Sequence, residues 1–372
     1  MSRGESVFVV AARRTAVVPR GGAFAALSIE SLAAPVLRAV LADAGIPEDA
    51  VDEVIVSNAL GAWGNPTRRV ALAAGLPERV AGLSIDRQCA GGLDAVLLAR
   101  ALVQSGAAEV VIAGGVESSS RRPLRFAMDG VGGAPLAYDQ PPFTPWPARD
   151  PAMADAAQAL ALRLGISRSA ADAWAVTSHA RALAAGLPGE IVSLAGQDRD
   201  PFARALTMAV ALRAKVVTGG ITAANSAVAA DAAAFVLVVS AQVARRMSRR
   251  KSHGSSLRIL GGLTLGADPS EPGTAPVAAI AAVLAGAGLR ADQLSISEIM
   301  EAYAVQAIAC VAGAGLDPAR VNIGGGALAR GHPIGASGAV LAVRLFWQLQ
   351  TGTGLAAIAA AGGIGTALLV ER

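Results

Sequence analysis

Two stretches of this chain occur twice in slightly altered form, and that repetition limits the fold more than any other feature. Leu37-Arg38-Ala39-Val40-Leu41-Ala42-Asp43-Ala44-Gly45 returns as Ile280-Ala281-Ala282-Val283-Leu284-Ala285-Gly286-Ala287-Gly288. Each copy is followed by a polar turn and an apolar run, Val51 to Ser57 or Leu294 to Ile299. Gly92-Leu93-Asp94-Ala95-Val96-Leu97-Leu98-Ala99-Arg100 returns as Ala336-Ser337-Gly338-Ala339-Val340-Leu341-Ala342-Val343-Arg344, and each precedes an apolar strand and a glycine pair, Gly114-Gly115 or Gly362-Gly363. Alanine-rich helices resemble one another by chance, so either echo alone carries little. The shared order of elements makes two copies of one α/β unit the economical reading.

Within the first copy, Ser6 to Ala12 reads as a buried strand and Ser28 to Ala44 as a helix, with Ser28 as N-cap and Gly45-Ile46-Pro47 as the stop. Val51 to Ser57, Ile85 to Gln88 and Glu109 to Gly114 read as strands. Asn65 opens a helix ending at Gly75, and another runs from Cys89 to about Ser105. Leu257 to Gly262 and Ala275 to Ala287 are a strand and a helix of the second copy, Asn225 to Ala234 a helix, and Ala234 to Ser240 a strand. Strands alternating with helices argue for an α/β architecture, and continuous apolar runs for strands covered on both faces. Between the copies, Arg121 to Pro151 is rich in Pro, Gly and Arg and reads as irregular loop; Met153 to Leu164 and Ser169 to Ala185 follow as helices. A long insertion near a sheet's ligand edge is more often a lid than a separate fold. Arg245 to Lys251 reads as a basic linker.

At 372 residues, 53% hydrophobic and 16% charged, the chain is not a disordered one, and 3% aromatics favour close packing of elements over bulky core anchors. Of its cations only Lys215 and Lys251 are lysines. Scattered arginine with a net charge of +4 argues against nucleic-acid binding but suits an anionic small ligand, because guanidinium forks match phosphate geometry. No run reaches the ~18 to 20 apolar residues of a membrane span. No secretory pattern, disulfide framework or metal-ligand cluster is visible, so a cytoplasmic protein without bound metal is expected.

Chemistry concentrates in two windows. In Gln88-Cys89-Ala90-Gly91-Gly92, small residues let the backbone turn and a ligand approach the sulfur. A helix N-terminus there would stabilise a thiolate, the form that is nucleophilic. A small buried hydrophobe is the competing reading of Cys89. The repeat places Gln88-Cys89 opposite His332-Pro333, at equivalent helix entrances, and halves packed about a pseudo-twofold axis could turn both toward one pocket. The glycine-rich run from Asn322 to Gly338 lacks the lysine of a P-loop and the strand context of a dinucleotide fingerprint.

Together, Gln88-Cys89-Ala90-Gly91-Gly92-Leu93 and Gly331-His332-Pro333-Ile334-Gly335-Ala336 resemble the nucleophile and histidine motifs of the thiolase family. Val10-Ala11-Ala12-Arg13-Arg14-Thr15, Gly114-Gly115-Val116-Glu117-Ser118, Thr222 to Ala234 and Glu301-Ala302-Tyr303-Ala304 extend the likeness along the chain. The resemblance implies a layered αβαβα fold of two similar halves, residues 1–117 with 218–255 and residues 256–372, plus a shortened loop domain, 118–217. It implies a homodimer or homotetramer acting on acyl-CoA, with coenzyme A as co-substrate and no resident cofactor. Cys89 would attack the thioester, His332 would help ionise it, and the backbone N–H groups of Cys89 and Ala361 would form an oxyanion hole. Ser118, Arg121, Arg122, Ala227, Met300 and Gly331 fall at its substrate or coenzyme A positions.

The chain also departs from that family. The second cysteine, acid and base in carbon–carbon bond formation, is Ala359; an oxyanion-hole asparagine is Met300, and a thioether is a poor substitute. A Ser-Gly pair is Ala227-Val228, and a histidine is Ala152. Cys310 reads as helix core, Glu301 as a more reachable acid or base, and His179 and His253 as surface residues. The expected activity is therefore acyl transfer onto Cys89 with impaired condensation and thiolysis. An acyl-CoA hydrolase, a synthase-like condensing enzyme and a non-catalytic binding subunit are the alternatives.

Overall fold

The protein is seen here as a computed structural model in which residues 5–61, 63–186, 189–248 and 256–372 are described. The first copy runs β1 (Val7–Arg14), β2 (Val18–Pro19), α1 (Ile29–Ala44), β3 (Glu53–Ser57), α2 (Pro66–Ala74), β4 (Leu83–Ile85), α3 (Gly91–Gln104) and β5 (Val110–Ser118). The chain then leaves the sheet for β6 (Arg125–Met128), β7 (Pro135–Tyr138), α4 (Met153–Leu164), α5 (Arg168–Ala184), α6 (Met208–Leu212), β8 (Val216–Thr218) and β9 (Ile221–Thr222). It returns in β10 (Ala230–Ser240) and α7 (Ala241–Ser248). The second copy is β11 (Leu257–Gly266), α8 (Ala275–Ala287), β12 (Ile296–Ile299), α9 (Ala304–Gly313), α10 (Ala327–Arg330), α11 (Ile334–Gln348), β13 (Thr353–Ala360) and β14 (Ile364–Glu371).

The repeat is visible in the strand order. From the middle outward, β1-β10-β5-β3 and β11-β14-β13-β12 show the same succession of antiparallel, antiparallel and parallel pairs. Both middle strands carry a bulge at the matching place, Val9/Ala11 and Ile259/Gly261. Antiparallel pairing of Phe8 with Arg258 and Val9 with Leu257 joins the halves, so both β layers belong to one continuous sheet.

Side-chain alternation builds the layers. In β10, Ala232, Ala234, Val236 and Val238 enter a central core with α3 and α11, while Ala233, Phe235, Leu237 and Val239 join α1 in an outer core. In β13, Ala356 and Ile358 face the central core, whereas Leu355 and Ala357 pack with α8 and α9. The result is helix, sheet, helix pair, sheet, helix. Small residues make the middle layer possible. A Cβ on Gly92 would lie 2.7 Å from the Ala339 nitrogen, and one on Gly338 2.4 Å from the Leu93 nitrogen. α3 and α11 therefore touch backbone to backbone, which aligns their N-terminal ends.

Local signals mostly acted as the sequence suggests. Ser28 accepts from Ser31 N and Gly45 closes α1 in the left-handed region; Asn65 caps α2. The expected helix over 225–234 does not form. Asn225 O accepts from Ala304 N, Ala227 N donates to Ala302 O, and Val228 O accepts from His332 N. Tertiary partners take the groups a helix would have used, and β10 begins at Ala230 instead. The irregular loop also contains the β6–β7 hairpin.

Candidate active site

Cys89 sits in a tight turn between β4 and α3. Gln88 adopts a left-handed φ of 50°, held where its N–H donates to Asp86 Oδ1 at 2.8 Å. Gly91 lets the turn press on β3, since a Cβ there would lie 2.1 Å from Ser57 Oγ. His332 enters from the other half. Gly331, at φ 118°, turns the chain out of α10, and His332 N donates to Val228 O at 2.7 Å.

The two side chains meet: His332 Nε2 lies 3.2 Å from Cys89 Sγ, across 243 positions of sequence. Second partners fix the tautomer. Ser337 Oγ gives its one proton to Pro333 O at 3.0 Å, so at 2.7 Å it accepts from His332 Nδ1–H. Nε2 therefore presents its lone pair to the thiol.

Burial pushes the Cys89 thiol up to about 12; its own N–H and that of Ala361 pull the other way, while Glu117 and Asp86 add to the rise. Burial lowers His332 to about 4. The resting pair is thus a neutral thiol beside a neutral imidazole. That corrects the expectation of a helix-stabilised thiolate. α3 starts two residues beyond the sulfur, at Gly91, and desolvation outweighs the nearby donors. Glu117 pins both halves: it accepts from Asn58 Nδ2 at 2.7 Å, Ala59 N at 3.0 Å and Gly335 N at 2.9 Å. Burial raises its carboxyl to about 7 against those donors.

The sulfur and imidazole open into a cavity of about 260 Å³, with Ala359, Ala361 and Ala227 in its wall. Met153 and Leu160 of α4 and Phe143 of the loop also line it, as does Arg122, paired with Asp139.

Residues 7–242 match the thiolase N-terminal domain family and residues 255–372 the thiolase C-terminal domain family. The chain belongs to the thiolase family. A Bacillus subtilis (strain 168) relative, provisionally named acetyl-CoA C-acetyltransferase YhfS, is 39% identical over 381 residues, 98% of each chain. Staphylococcus aureus (strain MRSA252) VraB, named in the same provisional way, is 33% identical over 385 residues, again 98% of each. The crystal structure of the Bacillus anthracis acetyl-CoA acetyltransferase superposes with a TM-score of 0.90 at 30% identity, covering 99% of both chains.

Several positions expected to contact substrate or coenzyme A do not line this cavity. Ser118 and Arg121 line a separate shallow pocket beside Ser28 and Glu30, because Arg121 Nη1 donates to Ala26 O and its N–H to Ser118 Oγ. Met300 is buried in the central core and absent from the cavity wall, and Gly331 shapes the backbone without lining it. Glu301 is no reachable base. It is 1% exposed and accepts from Trp174 Nε1, Ser178 Oγ, Asn322 Nδ2 and Leu328 N. Cys310 is core, as its helix face implied. His179 is buried, with Nδ1 accepting from Arg204 N, and its charge is disfavoured to about 4 by burial and Arg204. His253 lies outside the described residues. Among the described residues no cluster could hold a metal, and no helix is long and apolar enough to cross a membrane. Sequence reasoning missed Leu60, Phe143, Met153 and Gln306 in the cavity wall, since apolar and amide side chains on unrelated elements carry no motif.

Proposed function

We propose that this thiolase is an acyltransferase that takes an acyl group from acyl-CoA onto Cys89 and passes it on by a route other than efficient carbon–carbon bond formation. The observation that supports this reading is the Cys89 Sγ to His332 Nε2 distance of 3.2 Å at the wall of a cavity. In the first half-reaction Nε2 takes the thiol proton as Sγ bonds to the thioester carbonyl carbon. The carbonyl oxygen, now negative, would be met by the N–H groups of Cys89 and Ala361, the two backbone donors that favour charge at the sulfur. Collapse breaks the bond to the coenzyme A sulfur, which leaves with the proton from Nε2. In the second half-reaction an acceptor thiol or water loses its proton to the same Nε2 and displaces Cys89, whose sulfur takes that proton from Nε2 as it leaves.

Condensation needs more. A proton must leave the α-carbon of a second thioester, and the wall there is Ala359, which has no group to take it. Such a group typically contributes ~10² to 10⁴ in rate. Water needs no base beyond Nε2, and this favours acyl-CoA hydrolysis as the second reading. A purely binding role is disfavoured by the intact and tautomerically poised pair. Coenzyme A as co-substrate and a cytoplasmic setting belong to the same proposal. So does a homo-oligomer, for which β4, the last strand at one end of the sheet, with Leu83 43% exposed, offers an edge.

Mixing the protein with acetyl-CoA and counting free coenzyme A tests the reading. A burst of one equivalent per chain, absent in Cys89→Ala, is expected. Release without a burst, or a burst that survives Cys89→Ala, would contradict it.

A further inference from the structure

We propose that Tyr303 and Gln306, on the first turn of α9, form a subsite that hydrogen-bonds a neutral carbonyl oxygen of the substrate beside Cys89. The proposal rests on the acyl-CoA reading above. Both residues line the cavity that holds Cys89, His332 and Ala359. Their spacing of three places them on one face of the helix end.

Each carries a donor with nothing to do. Gln306 is 3% exposed; its Oε1 accepts from Ala302 N at 3.2 Å, which fixes the amide orientation. Its Nε2 is buried with no partner among the described residues. A buried donor left unpaired is costly, so an amide held in this way asks for an acceptor. The Tyr303 phenol oxygen has no hydrogen-bond partner among the described residues and is not sealed in the interior. Burial above all raises its pKa, with Cys89 and Asp155 nearby adding to the rise, so it stays a donor and is a poor base.

The backbone fixes both groups relative to the nucleophile. Tyr303 bridges to Ser226, and Ala227 N donates to Ala302 O. The same segment holds His332 through Val228 O. One short stretch thus sets the imidazole and the unspent donors together. Two neutral donors suit a ketone or amide oxygen and offer no full charge to an anion. Such an oxygen can come from a 3-oxo group on the acyl chain or from an amide of the pantetheine arm.

Calorimetric binding to Cys89→Ala, which cannot turn over, separates these cases. Acetoacetyl-CoA and butanoyl-CoA differ in the 3-oxo oxygen and share the pantetheine arm. If the oxygen is the 3-oxo group, adding Tyr303→Phe weakens acetoacetyl-CoA about five- to tenfold and leaves butanoyl-CoA unchanged. If it is an amide, both weaken to that extent. Gln306→Met, which removes the donor at little change in volume, should follow the same pattern. Unchanged affinity for both esters in both variants would overturn the subsite. Failure of Cys89→Ala to bind either ester would instead remove the acyl-CoA reading, and the subsite with it.

Discussion

Replacing His332 by alanine tests the neutral-pair description most sharply. With the thiol pushed up to about 12, roughly one chain in 10⁴ to 10⁵ carries a thiolate at pH 7.5, whereas an ordinary cysteine near 8.5 is about one-tenth ionised. Attack on a thioester therefore depends on Nε2 taking the proton as the bond forms, a contribution of about 10² to 10⁴. His332→Ala should slow acetylation of Cys89 by about three orders of magnitude at pH 7.5. The residual rate should climb about tenfold per pH unit, because only pre-formed thiolate reacts. With His332 present the rate should stay level between about pH 5 and 9, since the imidazole is held neutral down to about 4. Rapid quench with mass detection of the acetylated chain measures both profiles. A variant within about threefold of the parent, or a residual rate that levels off near neutrality, would refute the reasoning, because Cys89 would then ionise without the imidazole.

Ala359→Cys should raise acetoacetyl-CoA thiolysis about 100-fold or more, followed by loss of the 3-oxo thioester; no gain with Cys89 acetylation intact would mean that more than the proton carrier is missing. Gly338→Ala drives a methyl toward the Leu93 nitrogen, 2.4 Å away, and should cost about 1 to 3 kcal/mol in denaturant unfolding. Glu301→Ala takes the acceptor from four donors, three of them buried, and should cost roughly 3 to 5 kcal/mol; normal stability with lost turnover would instead return Glu301 to catalysis. His332 and His179 are both lowered to about 4, so the unfolded chain binds more protons below about pH 6.5. Their contribution to stability is present above that pH and is lost as pH falls toward about 4, which urea midpoints at stepped pH will show.

The fold was legible where local and global signals agreed. Helix caps at Ser28 and Asn65, the exit glycine Gly45 and the repeated Gly92 and Gly338 windows all marked real features, because each reports a backbone need that few residues meet. The Cys89–His332 meeting could be inferred because the repeat puts both at equivalent helix entrances. What failed was decided by tertiary partners. Asn225 to Ala229 looked helical by composition, but its backbone is spent on Ala302, Ala304 and His332. His179 looked like surface, yet the chain around Arg204 folds over it. Glu301 looked reachable because sequence cannot show that Trp174, Ser178 and Asn322 converge on it. The ionisation of Cys89 was misjudged for a similar reason: a helix start can be read from glycines, but desolvation cannot.

In the proposed reaction the sulfur that faces Nε2 becomes the acyl carrier. Brief exposure to acetyl-CoA, acid quench and peptide mapping by mass should find one acetyl group, on the peptide containing Cys89, and none on Cys310 or in Cys89→Ala. Acetyl found only elsewhere, or an unmodified Cys89 in a protein that binds acetyl-CoA, would contradict it.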